Sequence, residues 1–127
     1  MDKKHVKLAI APLGWTNDDI PELGGDIPFE QCISEMALAG YRGSEVGNKY
    51  PEDPSELNEH LQIRGLQICN KWFSCYLLSL PIEEVIKSFR ADLAYLKTLG
   101  ADVIGPSEQT RSRQGEPVSV FSEKPTF

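Results

Sequence analysis

Trp15, Asn17, Glu45, Trp72 and Glu108 are the side chains whose types first suggest chemistry. An indole face takes the C–H surface of a ring, while amides and carboxylates take its hydroxyls. Together they would suit a polyhydroxylated cyclic ligand. Each has helpers close by in sequence: Asn48, Lys49 and Tyr50 near Glu45, Phe73 and Ser74 beside Trp72, Ser107 and Gln109 around Glu108. A plainer reading competes with this one. Trp15 and Trp72 can be core residues closing the top of a sheet, and Glu45 can cap or pair locally.

Lys71 precedes Trp72 in a segment that reads as buried strand. Desolvation would lower its pKa and fit it for proton abstraction. Alternatively its ammonium snorkels to the rim or pairs with Glu45 or Glu108. Tyr50 can donate to a ligand hydroxyl or pack beside Pro51. Metal ligation is argued by what is missing. His5 falls at the start of the first strand and His60 in a helix, so neither reaches a rim at the opposite strand ends. Glu45, Glu108 and Asp18 alone lack the imidazole that Zn, Mn or Co sites usually include. The expectation is no complete metal site, and at most weak Mn2+ or Co2+ binding.

Composition narrows the class. The chain has 127 residues, 40% hydrophobic and 25% charged, ordinary for one globular domain. A chain of this size buries roughly two-thirds of its unfolded surface. Its net charge of −6 carries no basic stripe, which argues against a nucleic-acid surface. No apolar run approaches the ~20 residues of a membrane helix, and the run after MDKKHVK is too short for a signal peptide. Cys32, Cys69 and Cys75 lack CxxC spacing and read as reduced thiols of a cytoplasmic protein.

The elements that must position these residues follow a repeated plan of strand, polar loop, helix and glycine. Leu8 to Ala11 reads as a strand buried on both faces, broken by Pro12 and Gly14, and the other strands are expected to line up beside it. Pro28 fits the first position of a helix carrying Phe29, Cys32, Ile33, Met36 and Ala37 at helical spacing, with Gly40 as C-cap. Strand two covers Tyr41 to Val46 and closes at Gly47. Asp53, Pro54 and Glu56 start helix two, which turns Leu57 and Leu61 inward and ends at Gly65. Strand three runs from Leu66 to Phe73. Ile82, Val85, Ile86, Phe89, Leu93 and Leu96 form the stripe of helix three, capped by Gly100, and strand four starts at Asp102.

This order, βαβαβαβ, predicts parallel strands with right-handed crossovers. It is an α/β fold read as the N-terminal half of a (β/α)8 TIM barrel, a fold that typically takes about 250 residues. Residues 1–105 form the half-barrel. Residues 106–127 read as a polar loop or tail cut before the next helix, whose entrance Pro125, Thr126 and Phe127 resemble. Barrel active sites lie at the C-terminal strand ends, where the candidate residues fall. A half-barrel has unpaired edges, so self-association through the strand-one edge is expected.

Several motifs point to a known family. APLGWTNDD, PELGG (Pro21 to Gly25), FEQCISEMALAGY (Phe29 to Tyr41), EVGNKYP (Glu45 to Pro51), RGLQI (Arg64 to Ile68), WFS (Trp72 to Ser74) and SEQ (Ser107 to Gln109) resemble inosose dehydratase, of the xylose-isomerase-like barrel group. The resemblance covers nearly the whole chain and matches the N-terminal portion of that family. It implies loss of water from 2-keto-myo-inositol (scyllo-inosose) to a trihydroxycyclohexane-1,2-dione in myo-inositol breakdown. It further implies Mn2+ or Co2+, with glutathione, and metal ligands on later strands. By this resemblance the 127-residue chain alone is expected to be inactive, with its catalytic base elsewhere. Gly105 and Pro106 depart from the family pattern and are expected to interrupt strand four. Lys71 stands where a smaller residue is expected. An isomerase or epimerase of the same barrel group, and a non-catalytic half-barrel that binds a partner, are the alternatives.

Overall fold

The computed structural model describes residues 6–114 and 116–119. Its strands are β1 (Ala9–Ile10), β2 (Gly43–Glu45), β3 (Gln67–Asn70), β4 (Trp72–Cys75) and β5 (Gly105–Glu108). Between them lie the helices α1 (Phe29–Leu38), α2 (Pro54–Gln62) and α3 (Ile82–Thr98), with a 3-10 turn at Pro12–Gly14. Every strand pairing is parallel: β1 with β2, β2 with β3, and β4 with β5. The α/β class with parallel strands is therefore as the sequence indicates.

All three helices end by one device. Gly40, Gly65 and Gly100 take φ of 91°, 67° and 73°. The next N–H then closes back onto the last turn: Tyr41 to the Met36 carbonyl, Leu66 to Leu61 and Ala101 to Leu96, at 3.1, 3.0 and 3.0 Å. This satisfies carbonyls that the helix leaves open and aims the chain into the following strand. At the other end of α2, the Asp53 carboxylate accepts from the Ser55 and Glu56 N–H groups at 2.7 and 3.1 Å, with Pro54 next to it. Pro28 is the residue preceding α1, one place earlier than its composition suggests.

The main core lies between the helices and one face of the sheet. Ile33 and Met36 from α1, Leu57 and Leu61 from α2, Ile68 from β3 and Leu96 from α3 are essentially fully buried. A fully buried side chain of this kind contributes about 1.5–3 kcal/mol. Phe73, Cys75 and Val85 form a second, smaller cluster, with Phe89 packed edge-on to Phe73 at 5.4 Å.

Several expectations need correction. The strand placed at Leu66 to Phe73 is two strands, with Lys71 between them. β3 pairs with β2 in a three-stranded sheet, β1–β2–β3, whereas β4 pairs with β5 in a separate two-stranded sheet, so not all strands line up beside the first; the chain changes partner at this point, opposite a register shift between Ser44 and Glu45. The first strand is not buried on both faces: Ala9 is exposed and Leu8 is 62% exposed, because β1 sits at a sheet edge and pairs only with β2. Gly105 and Pro106 do not interrupt the last strand; they begin it. The Gly105 and Gln109 N–H groups donate to the Lys71 and Cys75 carbonyls at 3.0 and 2.8 Å. Alternate residues of a strand point the same way, so Pro106 turns its missing N–H to the free edge, where it breaks no ladder bond. The strand extends to Glu108. On α3, Ile82 and Ile86 are 51% and 42% exposed, so only part of its apolar stripe is covered. His5 and the segment Pro125 to Phe127 lie outside the described residues.

Candidate functional site

The loops after each strand converge on an open cleft of about 680 Å³. β1 leads into it through Ala11, Pro12 and Leu13, β2 through Glu45 and Asn48, β4 through Trp72, Ser74 and Tyr76, and the chain after β5 through Gln109, Ser112 and Gln114. Parallel strands place all their C-terminal ends on one side, which is why segments far apart in sequence share this rim.

The candidate residues divide. Glu45 and Trp72 line the cleft. Glu45 is the last residue of β2 and accepts a hydrogen bond from Asn70 Nδ2 at 2.6 Å. Trp72 is 51% exposed, and its indole N–H donates to Ser74 Oγ at 3.1 Å, which leaves the ring face to the solvent side. Trp15 turns the other way. Its indole donates to Glu35 Oε2 of α1 at 2.6 Å, and the ring packs half-buried against the main core. Hydrogen bonds from Gln31 and from this indole hold the Glu35 carboxyl below the usual carboxylate range. Asn17 Oδ1 accepts from the Asp19 and Ile20 N–H groups, each at 2.9 Å, an Asx turn that shapes the loop after β1. Glu108 accepts from the Thr110 hydroxyl and backbone N–H, which pulls its carboxyl down, and it does not line the cleft.

The helpers divide in the same way. Lys71 pairs with Asp92 of α3 and lies 5.8 Å from the centre of the Tyr95 ring. Its carboxylate partner is thus on the helix layer and is neither Glu45 nor Glu108. Tyr50 is buried, with its hydroxyl 2.6 Å from Ser44 Oγ and its ring 4.7 Å from Phe29, so the packing alternative describes it. Burial pushes its phenol well above the ordinary value. Lys49 donates to the carbonyls of Gly24, Gly25 and Ile27 at 3.0, 3.0 and 2.8 Å and so fastens the PELGG loop. Phe73 belongs to the second core cluster, and Ser107 accepts from Gln109 Nε2 at 2.8 Å.

The structure adds contributors beyond the five candidates, among them Asp18, which the sequence offered only as a possible metal ligand. Asp18 lines the cleft with its carboxyl pushed above the usual range, chiefly by lost hydration and in part by Asp19, against a hydrogen bond from the Asn48 backbone. Asp19 accepts from Gln114 Nε2 at 2.7 Å, which draws the chain after β5 across the rim. Asn70 lies beneath Glu45. The register shift in the pairing of β2 with β3 sets Asn70 opposite Glu45, so a simple alternation count from Ile68, which packs in the helix-side core, does not find it.

The described residues do not by themselves make up a divalent-cation centre. Among the described residues no group of three or more His, Cys, Asp or Glu side chains comes together. His60 is engaged with Phe29, its ring 5.4 Å away and edge-on. Among the described residues, no helix is long and apolar enough to cross a membrane.

Parallel strands, helices covering one face and a cleft at the strand ends define an α/β protein of a familiar kind. The fold matches a crystal structure of AP endonuclease, family 2, from Brucella melitensis, with a TM-score of 0.60 over 81% of this chain and 41% of that one. Identity there is 16%, so the likeness concerns fold alone. No protein-family model matches the chain. Sequence gives the particular relationship: the chain is homologous to inosose dehydratase along its whole length. It is 55% identical over 127 residues to the enzyme of Glaesserella parasuis serovar 5 and 56% identical over 127 residues to that of Serratia proteamaculans. With that of Geobacillus thermodenitrificans it shares 57% over 126 residues. It spans 42–43% of the length of these relatives.

Proposed function

We propose that this chain forms one side of the active site of an inosose dehydratase, as the N-terminal half of a (β/α)8 barrel. The observation that carries the reading is identity of 53–57% across the whole chain to proteins of that name. The cleft at the strand ends supports it, since barrel enzymes work at that face. The substrate is 2-keto-myo-inositol. In its dehydration a base removes the proton on the carbon next to the ketone, and that C–H pair becomes a carbon–carbon double bond. The hydroxyl one carbon further leaves as water once an acid has protonated it.

This chain's residues bind and orient the ring. The open face of Trp72 takes its C–H surface, and Glu45 and Gln109 take hydroxyls. Trp15, Asn17 and Glu108 serve from behind: the first anchors the loop after β1 to α1, the second shapes that loop, and the third fixes the turn after β5. Mn2+ or Co2+ and glutathione, implied by the resemblance, belong to the whole protein. We place that protein in the cytoplasm, in keeping with free Cys32, Cys69 and Cys75.

A chimera tests the reading. This chain replaces the aligned segment of the Serratia proteamaculans enzyme, and the product is assayed with 2-keto-myo-inositol and with open-chain ketoses. Turnover of the cyclic ketone with release of water is expected. A well-folded chimera that only isomerises ketoses, or does nothing, would overturn it.

A further inference from the structure

Asn70 occupies a place that packing alone does not explain. It is the last residue of β3, just before the chain leaves β2 for β5, and it lies below the cleft rather than in its lining. Its Nδ2 donates to Glu45 Oε1 at 2.6 Å. Its Oδ1 is buried and has no hydrogen-bond partner among the described residues. A buried polar atom left unsatisfied costs stability, so an apolar residue of the same shape would serve folding better. Room for the amide is made across the sheet. A Cβ on Gly105 would come within 3.2 Å of Nδ2 and 3.4 Å of Oδ1, tighter than an ordinary contact. The absence of a side chain at Gly105 and the amide at Asn70 therefore form one arrangement, and its visible product is the aim of Glu45. With Oε1 tied down, Oε2 has no protein partner among the described residues and is left to the cleft.

We propose that Asn70 is a positioning residue: it fixes the Glu45 carboxylate so that Oε2 accepts a hydroxyl of a polyhydroxylated ring, with Gly105 as the slot that admits the amide. The ligand class rests on the dehydratase reading; the contact does not. A carboxylate free to rotate would pay for ordering on each binding event, whereas a held one is already placed. Asn70 acts through Glu45 and touches no reacting atom.

Two measurements test this, one on the chain itself. In 15N-labelled 127-residue chain, the Asn70 side-chain amide is expected to exchange slowly with solvent. In Glu45→Ala that protection should fall at least tenfold; an amide indifferent to Glu45→Ala would overturn the proposal. In the chimera, Asn70→Leu keeps the shape and removes the donor. It is expected to raise KM about tenfold while kcat moves less than threefold, with the melting temperature kept or raised. In the Glu45→Ala background the same change should have no further effect on KM, because the residues act as a unit. Independent, multiplying effects on KM would overturn it. Gly105→Ala should reproduce part of the KM rise. An inactive but folded wild-type chimera would sink the dehydratase reading while the exchange experiment still decides the contact.

Discussion

The three-stranded sheet β1–β2–β3 and the two-stranded sheet β4–β5 differ in how well they are covered. Around β1, β2 and β3, helices α1 and α2 bring Ile33, Met36, Leu57 and Leu61 to near-complete burial over Ile68. Around β4 and β5, α3 buries Val85, its other buried residue, Leu96, belonging to the main core, while Leu77, Leu78, Leu80, Ile82 and Ile86 are 42–71% exposed. A helix over a parallel sheet needs a neighbour on each side to cover its stripe. α2 lies between α1 and α3 in chain order, but α3 has a described helix on one side only. The site straddles this boundary: Glu45 stands on the well-packed half and Trp72 on the thin half. Glu45 is held there by Asn70, whereas Trp72 is 51% exposed.

The largest expected effect comes from the packed half. Leu57→Ala should cost about 2–5 kcal/mol in urea unfolding, as usual for a fully buried leucine. Val85→Ala should cost clearly less. Equal losses would erase the contrast. Association comes next. Val6 and Leu8 are 54% and 62% exposed beside a β1 edge that pairs with β2 alone. The isolated chain is therefore expected to sediment as a dimer or larger at tens of micromolar. A well-packed monomer would mean that the free β1 edge is protected against pairing.

Lys71 separates an ion pair from a catalytic base. Breaking a partly exposed pair such as Lys71–Asp92 changes stability by about 0–1 kcal/mol. Lys71→Met in the chimera should therefore lower kcat less than tenfold. Loss of a general base would give roughly 10²–10⁴-fold. The smallest effect concerns Glu35. Its folded-state pKa is lowered, so its contribution is complete above the unfolded value near 4.5 and is lost as pH falls through the folded one. Trp15 fluorescence in a Trp72→Phe chain should hold steady on acidification to that value and change only below it. A change centred above 4.5 would contradict the bond to Glu35.

Much of the fold was legible because local chemistry and burial agreed. Gly40, Gly65 and Gly100 mark helix ends, and the spacing of Phe29, Cys32, Ile33 and Met36 marks a buried face. The break at Lys71 was not legible, since a change of strand partner leaves the run from Leu66 onward looking like one strand. Pro106 misled for a related reason: its tolerance depends on which edge its nitrogen faces, a tertiary fact. At the site, residue type pointed to both tryptophans equally. Only the position of Glu35 on α1 decides that Trp15 anchors a loop while Trp72 faces the cleft. Asn70 carried no signal of its own, because its meaning comes from Glu45 and Gly105 on neighbouring strands.

The most direct test of the account asks which indole meets the ring. The sequence contains Trp15 and Trp72 and no other tryptophan, and their indole N–H resonances in the chimera can be assigned with Trp15→Phe and Trp72→Phe. On titration with myo-inositol, a stable analogue that lacks the ketone, the Trp72 signal should shift and saturate while the Trp15 signal stays still. A saturating shift at Trp15 with Trp72 unmoved would contradict the cleft as the place where substrate is held.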